Sequence, residues 1–81
     1  MTHTTITLEL TRYDIAILAE AVAGEATQAY IDQRLNNSIM LHKVAARLWS
    51  HVGNPQKTTK QAALVLAITQ ELLQGDQDND A

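Results

Sequence analysis

The chain opens on strict alternation. Ile6, Leu8 and Leu10 are interleaved with Thr5, Thr7 and Glu9, the period-two pattern of a half-buried strand. From Tyr13 the period changes. Ile15, Leu18, Val22, Ala26 and Ala29 recur at intervals of three and four, which places them on one face of a helix. Thr11 with Asp14 three residues later is an N-terminal capping pattern, so the spacing predicts a first helix over residues 12–35. Gly24 lies inside it. Glycine costs about 1 kcal/mol relative to alanine in a helix, so it marks either a close helix contact or a break.

The triplet Asn36-Asn37-Ser38 has turn and cap chemistry, because asparagine tolerates the left-handed region and serine caps helices. A second helix is therefore expected over 38–52. Leu41, Val44, Ala45, Leu48 and Val52 form its apolar stripe, with Trp49 at one edge. Gly53, Asn54 and Pro55 stop it, since proline disfavours helical geometry at the residue before it. Thr58 with Gln61 matches a capping box, and Thr59 is a second candidate cap, so a third helix is expected over about 59–74. Leu64, Val65, Ile68 and Leu72 supply its buried face, and Ala63, Leu66, Ala67 and Leu73 widen it. A face so wide needs more than one neighbour. Gly75 is placed to end the helix, and residues 76–81 read as a disordered acidic tail.

The fold class that follows is mainly α: a three-helix bundle or helical hairpin over residues 1–75, with a short N-terminal extended segment or strand at 4–10. A strand needs a partner for its N–H and C=O groups, and no second strand pattern exists in the chain. Two readings remain open. Residues 4–10 pair with the same strand of another copy around a two-fold axis, or they form a lead-in that lays Ile6, Leu8 and Leu10 on the helices. Broad apolar helix faces on only 81 residues favour completion of the fold by oligomerisation, as a homodimer or a higher assembly.

Composition narrows the function. There is no cysteine, which removes disulfide scaffolds, thiolate chemistry and cysteine zinc sites. No apolar run approaches the length of a membrane span, and the start lacks a basic segment followed by an apolar one. A cytoplasmic protein without membrane contact is expected. The net charge is −3, but its distribution is uneven. Residues 34–60 carry Arg34, Lys43, Arg47, Lys57 and Lys60 with no acid, while the segments on either side are each −4.

Catalytic patterns are missing. There is no nucleophile elbow, no glycine-rich phosphate loop and no H-E-x-x-H pair. His42 and His51 are nine residues apart, half a turn out of phase on one helix, and cannot share a metal there. No enzyme activity, cofactor or metal is expected. The basic middle offers a binding surface instead. Lys43, Arg47 and His51 are spaced by four and line one ridge of the second helix, and Arg34 flanks it in sequence. Arg47 would act as a fork for phosphate or carboxylate, Lys43 as a point charge, and Trp49 as a flat stacking surface. The candidate partners are a second copy of the chain, an acidic protein surface or a nucleotide-like anion. The alternative is structural: Glu25, Gln28 and Asp32 of the first helix pair with these cations at the surface, and Trp49 anchors the core edge.

The stretch TITLELTRYDIAILAEAVAG resembles the start of ribbon-helix-helix DNA binders, in which a short strand precedes an amphipathic helix. In that family two strands pair as an antiparallel ribbon that reads the major groove. The resemblance implies a dimeric DNA-binding regulator. The outward positions here are His3, Thr5, Thr7 and Glu9, without the basic or amide side chains common on that ribbon. In size, acidity and helix content the chain is also similar to small accessory proteins of bacteriophages and mobile elements, including inhibitors and sequestering proteins. The expected function is accordingly a non-catalytic helical interaction protein acting through the ridge, with the ribbon-type regulator as the alternative.

Overall fold

The computed structural model describes the backbone of residues 3–79 and the side chains of residues 3–75. It contains three helices: α1 (Arg12–Ile31), α2 (Leu35–Val52) and α3 (Pro55–Asn79). Residues 3–11 form neither helix nor strand and are exposed. No helix is long and apolar enough to cross a membrane.

Each helix start and stop has a local cause. Thr11 and Asp14 form the expected capping box, with the Thr11 side chain accepting from the Asp14 N–H at 3.1 Å and the Asp14 carboxylate accepting from the Thr11 N–H at 3.0 Å. The first helix ends at Ile31 rather than at 35. Gln33 turns left-handed at φ 65°. Its N–H donates to the Tyr30 carbonyl, and the Arg34 N–H donates back to the Ala29 carbonyl at 2.8 Å. These two bonds make the six-residue closure that satisfies a helix's last carbonyls. Asn36, Asn37 and Ser38 therefore lie in the first turn of α2 and not in the connection. Gly53 ends α2 at φ 81°, the position where glycine carries no Cβ penalty. The third helix starts four residues earlier than Thr59. Asn54 Oδ1 accepts from the Lys57 N–H at 3.0 Å, and Pro55 takes the first helical position, where it lacks an N–H that would be idle anyway. Gly75 does not end α3, which continues to Asn79. The acidic tail expected over 76–81 thus begins in helix, and its last two residues lie outside the described ones.

The helices run up, down and up, and α2 packs against both of the others. The molecule measures 51 × 34 × 19 Å, so it is a flat layer with α2 in the middle. Its core is thin. Ala19, Ala26 and Ala29 are the buried residues of α1. Ser38, His42, Ala45 and Trp49 are those of α2, at intervals of four, three and four. Gln61 and Ile68 come from α3. The stripe expected on α2 is rotated: Val44 is exposed and Leu41 and Leu48 are half-buried, because a serine and a histidine occupy two of the four innermost positions.

Polar atoms in this core are paired. Ser38 Oγ donates to the Ala26 carbonyl at 2.7 Å and ties α2 to α1. His42 Nδ1 lies 2.6 Å from Gln61 Oε1 and ties α2 to α3. Among the described residues no buried side-chain nitrogen or oxygen lacks a partner. Such pairing is required, since an unmet buried polar group costs about 1–3 kcal/mol.

Candidate functional site

The basic residues in the middle of the chain fall into two groups. Lys43, Arg47 and His51 lie on α2 directly opposite the buried Ser38–Trp49 stripe, and all three are exposed. Four-residue spacing advances only 40° per step, so they stay on one outward ridge. Met40 and Val44, both exposed, border them on the same side of the helix. Two acids of α1 are engaged elsewhere, while Glu25, near Met40, makes no ion pair among the described residues. Asp32 accepts from Arg34 at 3.3 Å and from Gln28 Nε2 at 3.2 Å, and Glu20 accepts from Lys57 Nζ at 2.8 Å. Among the described residues neither Lys43 nor Arg47 takes part in an ion pair. The outward face of α2 is therefore a line of unneutralised positive charge bordered by two apolar side chains.

The second group serves the fold. Arg34 precedes the first turn of α2 and makes an exposed pair with Asp32, a contact contributing about 0–1 kcal/mol. It stands away from the ridge, at the other end of the helix from His51. Trp49 is 5% exposed and sits in the core stripe. Lys57 Nζ lies 4.2 Å from the centre of its ring while also holding Glu20. One lysine of α3 thus joins α1 and α2, and a cation over a tryptophan face is attracted by about 0.5–1 kcal/mol or more. Trp49 is in this arrangement already stacked by a cation of its own chain.

The opposite face of the layer carries a feature that residue spacing did not reveal. α1 and α3 run parallel on either side of α2, and a groove of about 290 Å³ opens between them. Its walls are Thr27 and Tyr30 of α1 with Leu64, Ala67 and Ile68 of α3, and His42 of α2 forms the floor. At the rim the Tyr30 hydroxyl donates to Glu71 Oε2 at 2.8 Å. That hydrogen bond to the carboxylate, followed by the carboxylate's charge and by burial, raises the Tyr30 pKa above the usual phenol value. The sequence signal that could have found His42 is its place in the Ser38–His42–Ala45–Trp49 series, whose 4-3-4 spacing is that of a buried seam even though three of its four members are polar or small.

Among the described residues no three His, Asp or Glu side chains come together in a way that could hold a metal ion. No family model matches the chain, and no curated protein and no solved structure matches it either.

Proposed function

We propose that the chain is a non-catalytic interaction protein, of the kind that mobile elements use to occupy or sequester a target, and that it works as a homo-oligomer. Its target is an acidic protein surface or a nucleotide-like anion, met by Lys43, Arg47 and His51. The observation that carries this reading is the exposed ridge itself: Lys43, Arg47 and His51 on one outward face, with Asp32 and Glu20 of α1 committed to Arg34 and Lys57 and neither Lys43 nor Arg47 in an ion pair among the described residues. Pairing such a ridge with a planar anion offsets the cost of desolvating both, because an arginine fork and a lysine point charge form short charge-assisted hydrogen bonds.

Oligomerisation is supported by the apolar residues that the three helices leave uncovered. Tyr13 is 74% exposed, and Ile17, Ile31, Met40 and Leu66 are exposed as well. The alternative, a dimeric ribbon-helix-helix-like DNA-binding regulator, is supported by the extended stretch before α1. There Ile6 and Leu8 lie in solvent and their backbone groups are free to pair with a second copy.

Native mass spectrometry of the protein drawn from cell extract tests both readings, run beside the Lys43→Glu, Arg47→Glu double variant with its helicity checked by circular dichroism. The expected result is a multiple of the chain mass carrying a bound anion or acidic protein, with the bound species lost from a fully helical double variant. Undiminished capture by the double variant rejects the ridge. A solitary chain at micromolar concentration rejects the assembly, and co-purifying DNA transfers the case to the ribbon.

A further inference from the structure

The groove between α1 and α3 points to a second binding site, independent of the ridge: we infer that it takes a compact, neutral, apolar molecule bearing one O–H or N–H donor, which hydrogen-bonds to His42 Nε2. The floor carries the argument. His42 is 3% exposed, and its Nδ1 faces Gln61 Oε1 at 2.6 Å. A carboxamide oxygen only accepts, so the imidazole carries a hydrogen on Nδ1, and the tautomer this contact selects leaves Nε2 as the acceptor. Nε2 has no hydrogen-bond partner among the described residues, yet no buried side-chain nitrogen among them is unmet. Both statements hold together when Nε2 keeps access to the groove that His42 lines. An imidazole acceptor at the base of apolar walls is the arrangement of a small-molecule site, in which a few polar groups fix orientation and apolar walls supply affinity.

The walls and rim define the occupant. Leu64, Ala67, Ile68 and the Tyr30 ring favour a hydrocarbon or aromatic body. A volume of about 290 Å³ suits a monocyclic molecule with a short chain. The Tyr30–Glu71 and Lys57–Glu20 contacts both join α1 to α3 across the groove side of the layer. Glu71 places a carboxylate at the rim, which disfavours the nucleotide-like anions suited to the ridge, and the apolar walls disfavour a buried charge of either sign.

The experiment titrates 4-propylphenol and its methyl ether into the full chain and follows the His42 ring nitrogens and the Leu64, Ala67 and Ile68 methyl groups by NMR. Two groove-filling variants, Ala67→Phe and Ala67→Lys, are run beside it. Ala67 is exposed on α3, so both substitutions are compatible with the helix, and circular dichroism verifies each. The expected outcome is saturable phenol binding with Kd below about 1 mM and a displaced His42 Nε2 resonance. The ether, lacking the donor, should bind at least about tenfold more weakly, and both variants should lose binding. Non-saturating shifts, equal binding of phenol and ether, or binding unchanged in whichever variant is folded would each overturn the inference.

Discussion

The two faces of α1 differ from those of α2 in the size of the side chains they bury. Its inward face is made of alanines: Ala19, Ala26 and Ala29 are buried completely. Its outward face carries Tyr13, Ile17 and Ile31, large apolar side chains in solvent. In α2 the largest side chain, Trp49, is inside, and Lys43 and Arg47 are outside beside Met40 and Val44. Small inward residues let two helix backbones approach closely, and the Ser38 hydroxyl reaching the Ala26 carbonyl is a direct consequence of that approach. The α1–α2 contact is therefore strong in fit and poor in buried apolar area, while the α2–α3 contact is built on Trp49 and Ile68. The two large core side chains, Trp49 and Ile68, thus belong to α2 and α3, and large exposed apolar residues to the far side of α1.

The sharpest way to break that comparison is to truncate its heavy side. Trp49→Ala should destabilise the fold by about 3–5 kcal/mol, because it removes the largest core side chain and the ring beneath Lys57 at once. For a domain of this size each kcal/mol moves Tm by roughly 4–8 °C, so thermal unfolding followed by circular dichroism should show a loss of well over 10 °C. A loss of only a few degrees would mean that the α2–α3 contact is not the stabilising one.

The light side is probed by adding volume. Ala26→Leu should cost about 1–3 kcal/mol, since the added atoms must displace α2 and stretch the Ser38 bond. Ala21→Leu, on the exposed face of the same helix, should change stability by no more than about 0.5 kcal/mol. Equal effects at the two positions in denaturant unfolding would erase the distinction between the faces.

Much of this architecture could be read from residue order, and the failures share a cause. The three helices, the capping box at Thr11 and Asp14, and the stop at Gly53 followed by Pro55 rest on local chemistry that residue types announce. The left-handed turn at Gln33 has no such announcement, because glutamine is not the residue that turn prefers, and so α1 was expected to run through it. The buried stripe of α2 was misplaced by polar members that only a partner on another helix makes tolerable, Ala26 for Ser38 and Gln61 for His42. The ridge of Lys43, Arg47 and His51 was legible because it depends on one helix alone. The assignments of Lys57 to Trp49 and Glu20, and of Tyr30 to Glu71, were not, since each joins residues brought close only by the packed layer.

The smallest effect concerns the residue at the centre of the outward face. Gly24 was expected to mark a close contact or a break. Within the single chain it is neither: α1 runs through it unbroken, and a Cβ built there would meet no atom within 4 Å. A glycine in the middle of an exposed helix loses about 1 kcal/mol to alanine through the entropy of its unfolded state. Gly24→Ala should therefore raise Tm by roughly 4–8 °C under dilute conditions, measured by calorimetry at concentrations that keep the chain single. The sign of this change separates two states of the same surface. If the gain appears at low concentration and shrinks or reverses as concentration rises, the missing Cβ serves a second copy that crosses α1 closely at this point. A gain independent of concentration places any association of copies away from the middle of α1, toward Tyr13 or Ile31.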